Sequence, residues 1–200
     1  LAVYPIGAPP TKPSTEDLTL LFKQGGAQSP FTGAVSVINN YAQWQLQISF
    51  PPVRRGSTQE KQMAVWLSNL RGIEGSFIYY PADSGKAIGG KSLATKGYAY
   101  STSIEVDGWT GTQATGLEGG DFFSIGNNLY RITSAPINSS SGTAVITFEP
   151  PLRADANGGT TVNFQTPRCE FRAGSAEDAQ GFSKDAEFTY LKPIAAVQVL

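Results

Sequence analysis

Few side chains in this sequence could do chemistry. Cys169 is the single cysteine among 200 residues, and there is no histidine. The missing imidazole removes Ser-His-Asp and Cys-His nucleophilic sites, histidine metal clusters and imidazole proton shuttles. A lone cysteine makes neither an intrachain disulfide nor a thiolate zinc site. Cys169 lies between Arg168 and Glu170 in a strand-like run, where a small apolar side chain on one strand face is the plainer reading than a nucleophile without a base. For hydrolysis that leaves a carboxylate pair, since glycoside cleavage needs two acids about 5 to 10 Å apart around a sugar. Asp107, Glu118 and Asp121 are the candidates, but they sit among glycine-rich turns, where carboxylates commonly hydrogen-bond to turn backbone. The sequence therefore predicts no catalytic residue, no metal ligand and no cofactor.

Aromatic residues offer a second chemistry. Tyr98, Tyr100, Trp109, Phe122, Phe123 and Tyr130 crowd one interval, and an apolar sugar face packs well on an aromatic ring. Trp109, Tyr98 and Tyr100 are the candidate carbohydrate-stacking residues. Alternation along the strands argues that most of the six face a core instead.

Charge narrows the partners. Fifteen basic and 16 acidic residues give a net charge of -1. The pairs Arg54-Arg55 and Lys91/Lys96 are too sparse to track a phosphate backbone, so nucleic acid is not expected. No apolar run approaches the roughly 20 residues that cross a bilayer, and Leu1 to Pro10 lacks the basic and apolar regions of a signal peptide, so neither membrane insertion nor ordinary secretion is expected. The low charged fraction of 16%, with 22 glycines and 13 prolines, fits a turn-rich β protein.

The elements that must position these residues are mostly strands. Residues 1–32 read as a Pro- and Gly-punctuated arm around the apolar run Leu18 to Phe22, either docked elsewhere as a short strand or left unpacked. Ala34 to Ile38 and then Tyr41 to Phe50 follow, separated by Asn39-Asn40; Trp44, Leu46, Ile48 and Phe50 alternate with polar residues, the period of a half-buried strand. One helix is expected over 57–71, with Ser57-Thr-Gln-Glu60 as a capping box and Gly72 as the left-handed C-cap. Its Met63, Trp66, Leu67 and Leu70 make one apolar stripe that fits against a sheet. Ser76 to Tyr80 is a strand stopped by Pro81. Residues 82 to about 97 read as a linker or excursion. Strands are then expected from Tyr98 to Val106 and at 121–125, 129–134, 143–149 and 161–165, with a turn at Asn127-Asn128. About five strands without a helix suggest a small Greek-key barrel, OB-like in size. Cys169 to Arg172, a polar loop, Ala186 to Leu191 and Ile194 to Leu200 return to the first sheet. The expected organisation is an arm (1–32), a discontinuous β domain (33–81 plus 168–200) and an inserted barrel (82–167).

This order of elements resembles the distal tail proteins, the Dit family, of long-tailed bacteriophages with a non-contractile tail. The resemblance covers roughly residues 33 to 200. It rests most on Tyr41-Ala-Gln-Trp44-Gln-Leu46-Gln-Ile48-Ser-Phe50 leading into the capped helix, and on Gly119-Gly120-Asp121-Phe122-Phe123 through Pro150-Pro151-Leu152-Arg153. It implies a mainly β, belt-like sandwich or split-barrel domain with one helix, carrying an OB-like barrel that projects outward. It further implies a non-enzymatic virion protein of the tail tip, assembled in the host cytoplasm as a six-fold ring. Such a ring joins the tail tube to hub, tip or fibre proteins; host-surface glycan is a further expected partner on the separate ground of the stacking candidates. Low-charge strands leave edges open for pairing between subunits, and Tyr4 and Phe22 in the arm could anchor on a neighbour. Two other readings stay open: a stand-alone carbohydrate- or receptor-binding β domain, and a tail-tube protein.

Overall fold

The computed structural model describes residues 4–175 and 181–199. The protein is mainly β, with one helix and a closed six-stranded barrel. A five-stranded antiparallel sheet has the order β1 (Thr15–Gln28), β2 (Val35–Ser49), β14 (Ile194–Gln198), β11 (Cys169–Ala173), β4 (Ser76–Tyr79). A smaller sheet runs β12 (Phe182–Lys184), β13 (Phe188–Leu191), β3 (Val53–Arg54). The period-two pattern of β2 works as expected, with Trp44, Leu46 and Ile48 buried and Phe50 buried just beyond the strand. These side chains share one core with Met63, Trp66, Leu67 and Leu70 of α1 (Thr58–Leu70), Phe77 and Tyr79 of β4, Phe171 of β11 and Val53 and Leu191 of the small sheet. Trp66 meets Phe77 edge-on at 5.3 Å between ring centroids.

The helix starts where the capping residues place it. Ser57 Oγ accepts from the Glu60 amide at 3.2 Å, while the Glu60 carboxylate accepts from the Gly56 amide at 2.6 Å. The carboxylate thus reaches one residue further back than a standard capping box does. At the other end the left-handed C-cap is Arg71 (φ 50°), with Gly72 also left-handed (φ 66°) just after it. The cap expected at Gly72 therefore begins one residue earlier, at a side chain that bears the cost glycine would avoid.

Glu60 is also the tie between helix and small sheet. Its second oxygen accepts from Thr189 Oγ1 at 2.7 Å and pairs with Lys184 Nζ at 2.8 Å. Lys184 first, then Thr189 and the Gly56 amide, hold its pKa down to about 2. A carboxylate depressed in the folded state stabilises fully above its unfolded pKa, and that contribution is lost as pH falls through the folded value. The difference in melting temperature between wild type and Glu60→Gln should therefore be constant above about pH 5 and shrink between the ordinary value of 4.5 and about 2. A thermal melt series that shows a difference independent of pH across this window would reject this role for the charge.

The barrel closes in the order β10 (Thr161–Asn163), β5 (Lys91–Leu93), β6 (Ser103–Asp107), β9 (Ala144–Glu149), β8 (Asn128–Ser134), β7 (Phe122–Ile125), back to β10. All its pairings are antiparallel. The sixth strand is β5, which lies in the segment read as a linker. Three residues flanked by Gly89, Gly90 and Lys96 are too short to carry a visible alternation, and barrel closure, not local pattern, makes them a strand. Phe123, Tyr130, Phe148 and Phe164 fill the interior, with Phe123 stacked on Tyr130 at 5.2 Å and edge-on to Phe148 at 5.3 Å.

Three further expectations change. Asn39-Asn40 does not separate two strands: β2 runs through it, and the β1–β2 register moves from Gln24↔Asn40 to Gly25↔Ile38, so Asn39 is the extra residue of a β-bulge. The β7–β8 turn is Gly126-Asn127, with Ile125 paired to Asn128 and Gly126 at φ 62°, the glycine-first pattern of a type II′ hairpin. The strand expected from Tyr98 begins only at Ser103. The polar stretch after Arg172 contains β12, and its residues 176–180 lie outside the described residues, as does Leu200.

Candidate functional site

The hairpin of β1 and β2 is longer than the sheet that supports it. β14 pairs with β2 only from Ile48 to Gln45, whereas β1 and β2 stay paired out to Gln28↔Val35. Beyond Phe22↔Ala42 the ribbon has no third strand among the described residues. At about 3.3 Å per residue it extends roughly 23 Å from the body. Leu18 and Leu20 of β1 still pack on the core; Phe22 is 50% exposed and Phe31, in the connecting loop, 95% exposed. Lys23 lies 5.7 Å from the ring centroid of the exposed Tyr41 across the ribbon. β1 is also an edge strand along its length, paired with β2 alone. The opposite edge, β4, is partly covered: Ile6 bridges Phe77 in parallel, with its amide donating to Ser76 O at 2.9 Å and its carbonyl accepting from the Ile78 amide at 3.0 Å. Tyr4 is likewise held within the chain, its hydroxyl donating to Asn69 O at 3.0 Å. Of Tyr4 and Phe22, the two expected anchors, only Phe22 presents a half-open ring.

The barrel is clamped to the sheet by the β7–β8 hairpin. Trp44, fully buried in β2, donates from its indole N–H to Leu129 O at 2.9 Å and tilts against Phe122 at 5.7 Å, while the Arg131 guanidinium lies 5.6 Å from its ring centroid. The Glu170 amide donates to Asn127 O at 3.0 Å, and Asn127 Nδ2 donates to Glu170 Oε2 at 3.2 Å. The Arg153 guanidinium donates to Ala42 O, joining the barrel to the base of the ribbon. Cys169 is buried at this junction, and burial pushes its thiol up to about 12. It is a protonated packing group at neutral pH.

The three stacking candidates do not form one platform. Trp109 is only 8% exposed; its indole N–H donates to Thr115 O at 3.4 Å and Lys91 Nζ sits 4.7 Å from its ring centroid. It follows the last residue of β6, whereas Tyr98 and Tyr100 precede the first, and five strand residues separate the two groups by roughly 15 Å. Tyr98 is 65% and Tyr100 85% exposed. Phe123 and Tyr130 are interior, and Phe122 packs on the sheet core.

Two of the three acids considered for hydrolysis have structural partners, and the third, Glu118, is exposed. Asp107 accepts from Ser92 Oγ at 2.5 Å, and Asp121 accepts from the Glu118 amide at 2.8 Å and pairs with Lys86 at 3.2 Å. Among the described residues no group of three His, Cys, Asp or Glu could hold a metal ion, and no helix is long and apolar enough to cross a membrane.

By fold the chain is a mainly β protein built on a five-stranded sheet and a closed barrel. No protein-family model matches its sequence, and no curated protein matches it.

Proposed function

We propose that this chain is a virion structural protein that forms a ring, six-fold by its resemblance to the distal tail proteins, at the far end of a phage tail tube. The ring would join the tube to hub, tip or fibre proteins. The observation that carries this reading is the unsupported β1–β2 ribbon with its open edge. A two-stranded ribbon is at best marginally stable alone in water, and a long edge strand is a template for another chain. Head-to-tail rings need such an unsatisfied surface on each subunit to meet a different surface on the next.

Immunogold electron microscopy of tailed particles with antibody to this chain tests the proposal. Gold is expected at the tail end opposite the head. Gold along the whole tube would move the chain to a tube role, and unlabelled particles, intact or opened at the tip, would reject a virion role.

A further inference from the structure

We propose that the cleft beside Tyr98, on the outer wall of the barrel, binds an uncharged glycan. The cleft has a volume of about 260 Å³ and lies between the 95–98 segment, the start of β6 and Val145 of β9. Tyr98 forms an aromatic wall, and Lys96 Nζ lies 5.1 Å from its ring centroid. Lys96 is anchored in turn by Asp155 at 2.7 Å, whose other oxygen accepts from the Ala99 amide at 2.9 Å. The loop is held in an unusual shape. Tyr100 has φ 66°, a left-handed conformation that costs a non-glycine residue energy, and its amide donates to Leu152 O at 2.8 Å. Tyr98 and Tyr100 are both left in solvent by this loop, and only Tyr98 lines the cleft.

The polar groups around the cleft set the ligand's chemistry. Glu105 points outward from β6 between the buried Ile104 and Val106 and is itself half-buried. Among the described residues its carboxylate has no hydrogen-bond or ion-pair partner, and neither do the hydroxyls of Ser103, Thr95 and Tyr98. A carboxylate and three hydroxyls around an aromatic face match a ligand with an apolar face and a rim of hydroxyls, which is a pyranose. Charge selects further. Asp155 neutralises Lys96, so Glu105 is the unbalanced charge of the cleft; it accepts from sugar hydroxyls or amides and repels uronates, sialates and phosphates. This site is independent of ring formation, so its failure would leave the tail-end assignment standing.

The test is titration of the full chain with neutral hexose, N-acetylhexosamine and uronic-acid oligosaccharides, followed by saturation-transfer NMR and calorimetry. Binding of a neutral or N-acetylated oligosaccharide is expected, with Tyr98→Ala weakening it by about tenfold or more and Glu105→Gln by about threefold. Both side chains lie outside the two cores, so both variants should keep the wild-type melting temperature. Three results would each overturn the proposal: no neutral oligosaccharide bound at about 10 mM, equal affinity for uronic-acid oligosaccharides, or wild-type affinity in Tyr98→Ala.

Discussion

Trp44→Ala should lower the unfolding free energy by about 3–5 kcal/mol, the range for truncating a large buried aromatic. Trp44 contacts both halves of the molecule: its ring packs in the sheet core, against Phe122 and beneath Arg131, and its N–H satisfies Leu129 O. Truncation leaves a cavity at the junction, an orphaned buried carbonyl and a guanidinium without its ring. Trp44→Phe restores most of the packing but not the donor, so it should cost less, about 1–3 kcal/mol for the unpaired carbonyl. Urea unfolding of both variants reads this difference. Equal losses would mean that the hydrogen bond, not the ring, carries the junction; two negligible losses would show that the barrel does not depend on this residue to dock.

The double variant Phe22→Asp, Phe31→Asp should leave the fold nearly untouched and abolish assembly. Phe22 lies at the base of the unsupported ribbon and Phe31 in the loop at its tip, both outside either core, so their contribution to the stability of a single chain is within about 0.5 kcal/mol. An apolar ring that anchors on a neighbour belongs to the small set of residues that dominate an interface, and a buried unpaired carboxylate in its place costs several kcal/mol more. Incorporation into tailed particles should therefore fall by at least about tenfold at an unchanged melting temperature. Incorporation is the appropriate readout because pairwise contacts too weak to hold a ring at dilute concentration still close one inside a particle. Normal incorporation of the folded variant would remove the ribbon from the assembly surface.

The candidate site divides in the same way as the fold. Tyr98 and Tyr100 were visible in the sequence as aromatics in a polar stretch, but Trp109 looked equivalent to them. Only the course of β6 separates the tyrosines from the indole and buries the latter. Glu105 gave no signal at all. A single acid between two β-branched residues is the ordinary outward position of a strand, and its lack of a partner is decided by how the nearby 95–98 segment folds beside β6 and by the pairing with β9, which is distant along the chain.

What the sequence determined by itself was local. The period of Trp44, Leu46, Ile48 and Phe50, the capped helix with its Met63–Leu70 stripe, and the turn-rich strands of the second half each follow from interactions within a few residues, where side-chain spacing and backbone preference act directly. Tertiary structure decided the rest. It made a barrel strand of Lys91–Leu93, turned Asn39 from part of a break between two strands into a bulge within one, and joined Thr15–Gln28 to β2 as a 14-residue edge strand in place of a short docked strand or an unpacked arm. In each case the deciding hydrogen bonds come from a partner strand, and which partner is available is fixed by closure of the barrel and the sheet, not by the residues on either side.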